Sequence, residues 1–107
     1  MNEKRQFQRA PLTVAVEAAA GGRTLQFESR NVSVGGMLLH GEDTLNENDT
    51  FRMKFRLPGR PEEISVTGIV QHVTDAFMGV RFAELPDPMQ EAIEAYVRQA
   101  LPSKTRK

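Results

Sequence analysis

The sequence holds no cysteine. That excludes disulfides, thiolate metal ligands and a cysteine nucleophile, and gives no reason to place the chain in an oxidising compartment, so a cytoplasmic location is expected. Neither sign of charge is in excess: 14 Lys and Arg stand against 14 Asp and Glu. No global field therefore draws the chain toward DNA, RNA or a membrane, and any anion site must be local. Long hydrophobic runs are missing as well. No stretch reaches membrane-spanning length, and Met-Asn-Glu-Lys-Arg-Gln at the N-terminus is followed by no apolar run suited to a signal peptide. Histidine is scarce, and His40 and His72 fall in separate predicted strands as packing residues. Ser33 is followed by strand, not by the helix of a nucleophile elbow, and no spaced set of carboxylates or histidines suggests a metal. The chain reads as a binder, not an enzyme, with no metal or resident cofactor.

What is present suits one small domain. Hydrophobic residues make up 39% of the 107 and charged residues 26%, the composition of a globular chain able to bury one modest core. Residues 1–11 form a polar, basic arm ending in Ala10-Pro11. Leu12, Val14, Val16 and Ala18 then alternate on one face, and Gly21-Gly22 supplies a two-residue turn into a return strand running from Arg23 to Val32. Met37 to His40 resumes as a short strand. Thr50 to Leu57 alternates most cleanly, with Phe51, Met53, Phe55 and Leu57 inward. Glu62 to Thr74 places Ile64, Val66, Val70 and His72 in one parity with Gly68, a glycine that suggests a bulge or tight bend. Phe77 to Phe82 gives the last strand.

The period then changes to that of a helix. Asp87 suits an N-cap, Pro88 the first helical position and Gln90 the capping-box partner, and Met89, Ile93, Val97, Ala100 and Leu101 form a stripe. Pro102 ends the helix, and 102–107 is a basic tail. The expected fold is all-β: a six-stranded antiparallel β-barrel with one C-terminal α-helix over residues 12–101.

The stretch Arg30-Asn-Val-Ser-Val-Gly-Gly36 is unusual for plain strand. Asn31 and Ser33 share a face that offers donors and acceptors together, and Gly35 and Gly36 permit close approach to the main chain. Two readings stand: a turn built from turn-forming residues, or a polar ledge for a ligand. Upstream, Arg5 and Arg9 lie four apart on the arm. Arginine's planar fork pairs with phosphate oxygens or the O6/N7 edge of guanine better than lysine does. Two such forks facing an amide-and-hydroxyl ledge make the pattern of a nucleotide site.

Arg5-Gln6-Phe7-Gln8-Arg9 and Asn31-Val32-Ser33-Val34-Gly35-Gly36 resemble the RxxxR and [D/N]xSxxG motifs of PilZ domains, bacterial receptors for cyclic di-GMP. Their order and spacing, the Gly79-Val80-Arg81-Phe82 run and the terminal helix extend the resemblance over nearly the whole chain. It implies a six-stranded barrel whose arm folds over the cyclic dinucleotide. Arg5 and Arg9 would contact guanine and phosphate, Asn31 and Ser33 would hydrogen-bond guanine or phosphate, and Gly36 would keep the floor open. Gly35, outside the fixed motif positions, is included as a ligand-side or turn residue. Lys4, just before RxxxR, occupies the position that bears on whether one ligand or an intercalated pair binds; a basic residue leans toward the pair, and stoichiometry stays open. Phe7 could stack on guanine or pack on the barrel, and Arg81 could reach the anion or face solvent.

The resemblance implies a monomer or weak dimer acting as a cyclic di-GMP effector, whose arm and surface change on binding to regulate a protein of motility, pilus, flagellar or exopolysaccharide machinery. The alternative is a PilZ-fold adaptor that makes protein contacts without the ligand.

Overall fold

A computed structural model describes residues 8–41 and 45–100. Seven strands precede one helix: β1 (Ala10–Pro11), β2 (Ala15–Ala20), β3 (Arg23–Val32), β4 (Gly36–His40), β5 (Thr50–Arg56), β6 (Glu63–Val73), β7 (Phe77–Glu84) and α1 (Asp87–Ala100). The strands pair in the order β1-β3-β2-β5-β6-β7-β4, all antiparallel, and a further β3–β4 pairing closes six of them into a barrel. Closure leaves no free edge on those six, as expected from the run of short alternating strands.

The extra strand arises because the first expected strand is broken. Ala10 and Pro11 pair with Val32 and Asn31, whereas pairing with β2 starts only at Ala15 opposite Glu28. Between them, the fully buried Ser29 hydroxyl accepts a bond from the Val14 amide at 3.0 Å and donates to the Leu12 carbonyl at 2.6 Å. A side chain thus satisfies main-chain groups that an interrupted ladder would leave without partners. The break swings residues 8–11 alongside the end of β3, where the polar stretch begins.

Alternation elsewhere is followed closely. Val16 and Ala18, Leu25 and Phe27, Met37 and Leu39, Phe51, Met53 and Phe55, Ile64 and Val66, and Met78, Val80 and Phe82 all point into one core. Removing each large apolar side chain from water contributes about 1.5–3 kcal/mol toward closing the barrel. Gly21 and Gly22 take φ of 58° and 81°, the left-handed pair that a tight hairpin turn requires. Gly68 sits at a register shift against β7 in which the extra residue, Ala83, lies on β7 and not on β6. A Cβ at Gly68 would stand 2.7 Å from Val80 Cγ1 and 3.1 Å from Met53 Sδ, so this glycine serves close packing, and the extra residue of β6 comes later, at Gln71.

Two expectations need correction. His40 and His72 are exposed and lie outside the core: His40 follows the buried Leu39 at the end of β4, and a second register shift, between Val70 and His72, moves His72 out of the inward series. The helix cap lies one residue earlier than expected: the Pro86 carbonyl accepts from the amides of Met89 and Gln90, and Asp87 is already the first helical residue. Asp87 still sits in the first turn, where its charge complements the helix dipole. Ile93 and Val97 are buried, Met89, Ala92 and Tyr96 pack partly against the core, and Ala100 is exposed. The Tyr96 hydroxyl donates to the Pro11 carbonyl at 2.6 Å, tying α1 to β1. Leu101 and the tail 102–107 lie outside the described residues.

No described helix is long and apolar enough to cross a membrane. Among the described residues, no cluster of three or more His, Asp or Glu could hold a metal ion.

Candidate functional site

The turn between β3 and β4 is built by the residues that suit turns. The Ser33 amide donates to the Gly36 carbonyl at 2.8 Å, and the Ser33 hydroxyl, on a residue only 1% exposed, accepts from the Gly35 amide at 3.1 Å. Neither glycine takes a left-handed φ. What requires Gly36 is β7: a Cβ there would stand 2.0 Å from the Val80 carbonyl oxygen and 3.0 Å from the Arg81 Cα. Gly35 in turn accepts from the Phe82 amide at 2.9 Å. The two glycines thus seat the turn against the last strand, and the space left by the absent Cβ of Gly36 is filled by main chain.

Beside this turn, the outer face of the barrel carries a row of cross-strand partners. Asn31 of β3 lies opposite Leu38 of β4, Leu38 opposite Gly79 of β7, and Gly79 opposite His72 of β6. A register shift in β3 between Ser29 and Asn31 helps set Asn31 in that row. Arg9 enters from the arm and donates from Nη1 to Asn31 Oδ1 at 2.7 Å. One residue of each half of the sequence pattern is therefore in direct contact.

Two adjoining hollows result. One, of about 280 Å³, is lined by Arg9, by Ser33, Gly35 and Gly36 of the turn, and by Gln71, His72, Gly79, Val80 and Arg81. The other, of about 240 Å³, is lined by Arg9, Asn31, Met37, Leu38, His72 and Gly79. Among the described residues, neither is lined by an Asp or Glu. In a chain with no net charge, this is the local cationic concentration that an anion needs. A larger hollow of about 460 Å³ on β2, β3, β5 and the start of β6 is lined by Glu17 and Glu63 together with Lys54 and Arg56. Its charges cancel, so volume alone does not favour it.

Of the residues singled out in the sequence, Arg9, Asn31, Ser33, Gly35 and Gly36 gather within this cleft region. Lys4 and Arg5, with Phe7, lie outside the described residues. Sequence reasoning missed His72 and Gln71, because parity alone cannot register the extra residue in β6. It also gave Gly79 no place in the site. A Cβ at position 79 would stand 2.6 Å from His72 Cε1, so this glycine makes room for the imidazole. Its presence in Gly79-Val80-Arg81-Phe82 was the available signal. Further along the same face, the Arg30 guanidinium stands 5.6 Å from the centroid of the Phe77 ring, and the His40 ring lies 5.5 Å from it.

Comparison with known proteins agrees with this fold. A sequence model of the PilZ domain family matches residues 3–99. The chain belongs to the PilZ domain family. Among solved structures it is similar to the Bacillus subtilis inhibitor of motility MotI/DgrA, at TM-score 0.82 and 21% identity over 98% of this chain and 55% of that one. It also resembles the PilZ domain of Escherichia coli YcgR with c-di-GMP, at TM-score 0.75 and 15% identity over 92% of each. Borreliella burgdorferi PlzA in complex with c-di-GMP aligns at TM-score 0.60 and 16% identity, over 91% of this chain and 38% of that one. The chain thus spans about half of MotI/DgrA and less of PlzA. A search of the curated proteins finds no match.

Proposed function

We propose that this protein is a cyclic di-GMP receptor that acts in the cytoplasm without catalysing a reaction. The observation that carries the reading is the 2.7 Å contact between Arg9 and Asn31 above a cleft that no acid among the described residues lines. Arg9, with Arg5 and Lys4 from the arm, supplies forks and charge for guanine edges and phosphates. Asn31 offers an amide to a guanine or to the phosphate it faces. Ser33, Gly35 and Gly36 shape the turn that forms one wall, and Ser33 adds a hydroxyl if its bond to the Gly35 amide is exchanged for one to the ligand.

The similar proteins YcgR and PlzA, whose structures carry c-di-GMP, support the choice of ligand. Because the Pro11 carbonyl is held by Tyr96 two residues after Arg9, ligand capture by the arm has a short route to α1. A changed arm and an altered surface there would then be read by a partner in motility, pilus, flagellar or exopolysaccharide machinery.

Isothermal titration of the full chain, with the mass of the complex measured alongside, tests the reading. Micromolar or tighter binding by the wild type is expected, and Arg9→Ala should cost about 1–3 kcal/mol of it, as loss of a fork contact does in guanine readout. No heat and no mass shift at millimolar ligand would remove the receptor function and leave the adaptor reading.

A further inference from the structure

The receptor reading leaves His72 without a role. Its ring is seated on Gly79, with Nδ1, Cε1 and Nε2 at 3.0, 2.6 and 3.2 Å from where a Cβ of residue 79 would stand. The bulge that turns it outward is held from the other side of β6. There the Asn48 amide donates to the Val70 carbonyl at 2.8 Å and the Val70 amide donates to the Asp49 carbonyl at 2.9 Å. The imidazole thereby stands on the wall that both hollows share, together with Arg9.

Among the described residues, the charged groups around it are one-sided. From the arm, Arg9 lines the same cleft, and from β7, Arg81 does. β4 contributes Leu38 and Gly36, which do not titrate. The loop bonded to Val70 carries Glu47 and Asp49, the latter's carboxylate accepting from the Asn46 amide at 2.9 Å, and the turn after β6 carries Asp75. None of these three lines the cleft.

We propose that His72 contacts the bound cyclic dinucleotide and makes its binding proton-linked, the imidazolium holding the dianion more tightly than the neutral ring. The proposal rests on the receptor reading. A neutral imidazole offers one donor and one acceptor, whereas the imidazolium offers two donors and a positive charge. Phosphate oxygens and the O6 and N7 atoms of guanine are all acceptors, so the charged form is the better complement. With no carboxylate among the described residues lining the cleft, the counter-charge for that proton comes from the ligand. Binding therefore takes up protons near neutral pH, and a complex that holds more protons than its free components tightens as pH falls.

Titration calorimetry of the full chain with cyclic di-GMP at about pH 6 and about pH 8, each in two buffers of different ionisation enthalpy, tests this. The ligand's phosphodiesters stay ionised and its guanines neutral across that range. The wild type is expected to bind about tenfold tighter at the lower pH, with a buffer-dependent heat near neutrality that reports proton uptake. His72→Phe, which keeps an aromatic face, and His72→Gln, which keeps hydrogen bonding, should each lose both the slope and the buffer dependence. His40→Gln, at the chain's other histidine, should keep both. Binding by the wild type with no slope and no proton uptake overturns the role of His72 while leaving the receptor intact, as does loss of the slope in His40→Gln in place of the His72 variants. Absence of binding at either pH removes both proposals.

Discussion

Arg9 and Asn31 are 22 residues apart in sequence and 2.7 Å apart in space, guanidinium to amide oxygen. The partner of the arginine is neutral, so its full positive charge remains available to an anion. The contact is exposed, so it orients the arm at little cost to stability either way.

Asn31→Ala should therefore separate binding from folding. The expected change in unfolding free energy is within about 0.5 kcal/mol, as for surface substitutions in general. Cyclic di-GMP affinity should fall by about 1 kcal/mol or more, since both the amide and its hold on Arg9 are lost. Thermal unfolding and calorimetry on the same sample read the two numbers.

Gly36→Ala should behave in the opposite way. Its Cβ would stand 2.0 Å from the Val80 carbonyl oxygen, and backbone cannot yield as a side-chain tip can. Separating β4 from β7 at that point should cost about 2 kcal/mol or more, a fall in Tm of roughly 8 °C or more for a domain of this size. An unchanged Tm would show that the strands are not so close.

Ser29→Ala removes a buried hydroxyl that serves Val14 and Leu12 at once. The two main-chain groups left without a partner should cost about 1–3 kcal/mol. Hydrogen exchange should quicken first at the Val14 amide, whose acceptor is lost, and at Ala10 in the short strand beyond the break. Uniform loss of protection across the barrel would contradict this local role.

The barrel was legible because inward residues of small antiparallel strands alternate, and Phe51, Met53 and Phe55 or Met78, Val80 and Phe82 follow that rule without interruption. The candidate site was legible only in its polar half. Asn31, Ser33, Gly35 and Gly36 announce themselves by residue type, and the arginines by their fork. His72 was hidden by the register shift after Val70, since an extra residue in a strand reverses parity without changing composition. Ser29 was hidden for a related reason: a serine in a strand looks solvent-facing until the neighbouring ladder breaks around it. Gly36 was expected to keep a floor open for the ligand, but the space it leaves is filled by the β7 main chain, because the turn packs against Arg81, 45 residues later in the chain.

The most direct test of the account is a titration of the isotopically labelled full chain with cyclic di-GMP, followed by amide chemical shifts. The account predicts the largest changes at Arg9, Asn31, Gly35, Gly36 and Gly79, with Glu17, Lys54 and Glu63 on the mixed-charge face unmoved. Saturating shifts confined to that other face, or none at millimolar ligand, would contradict it.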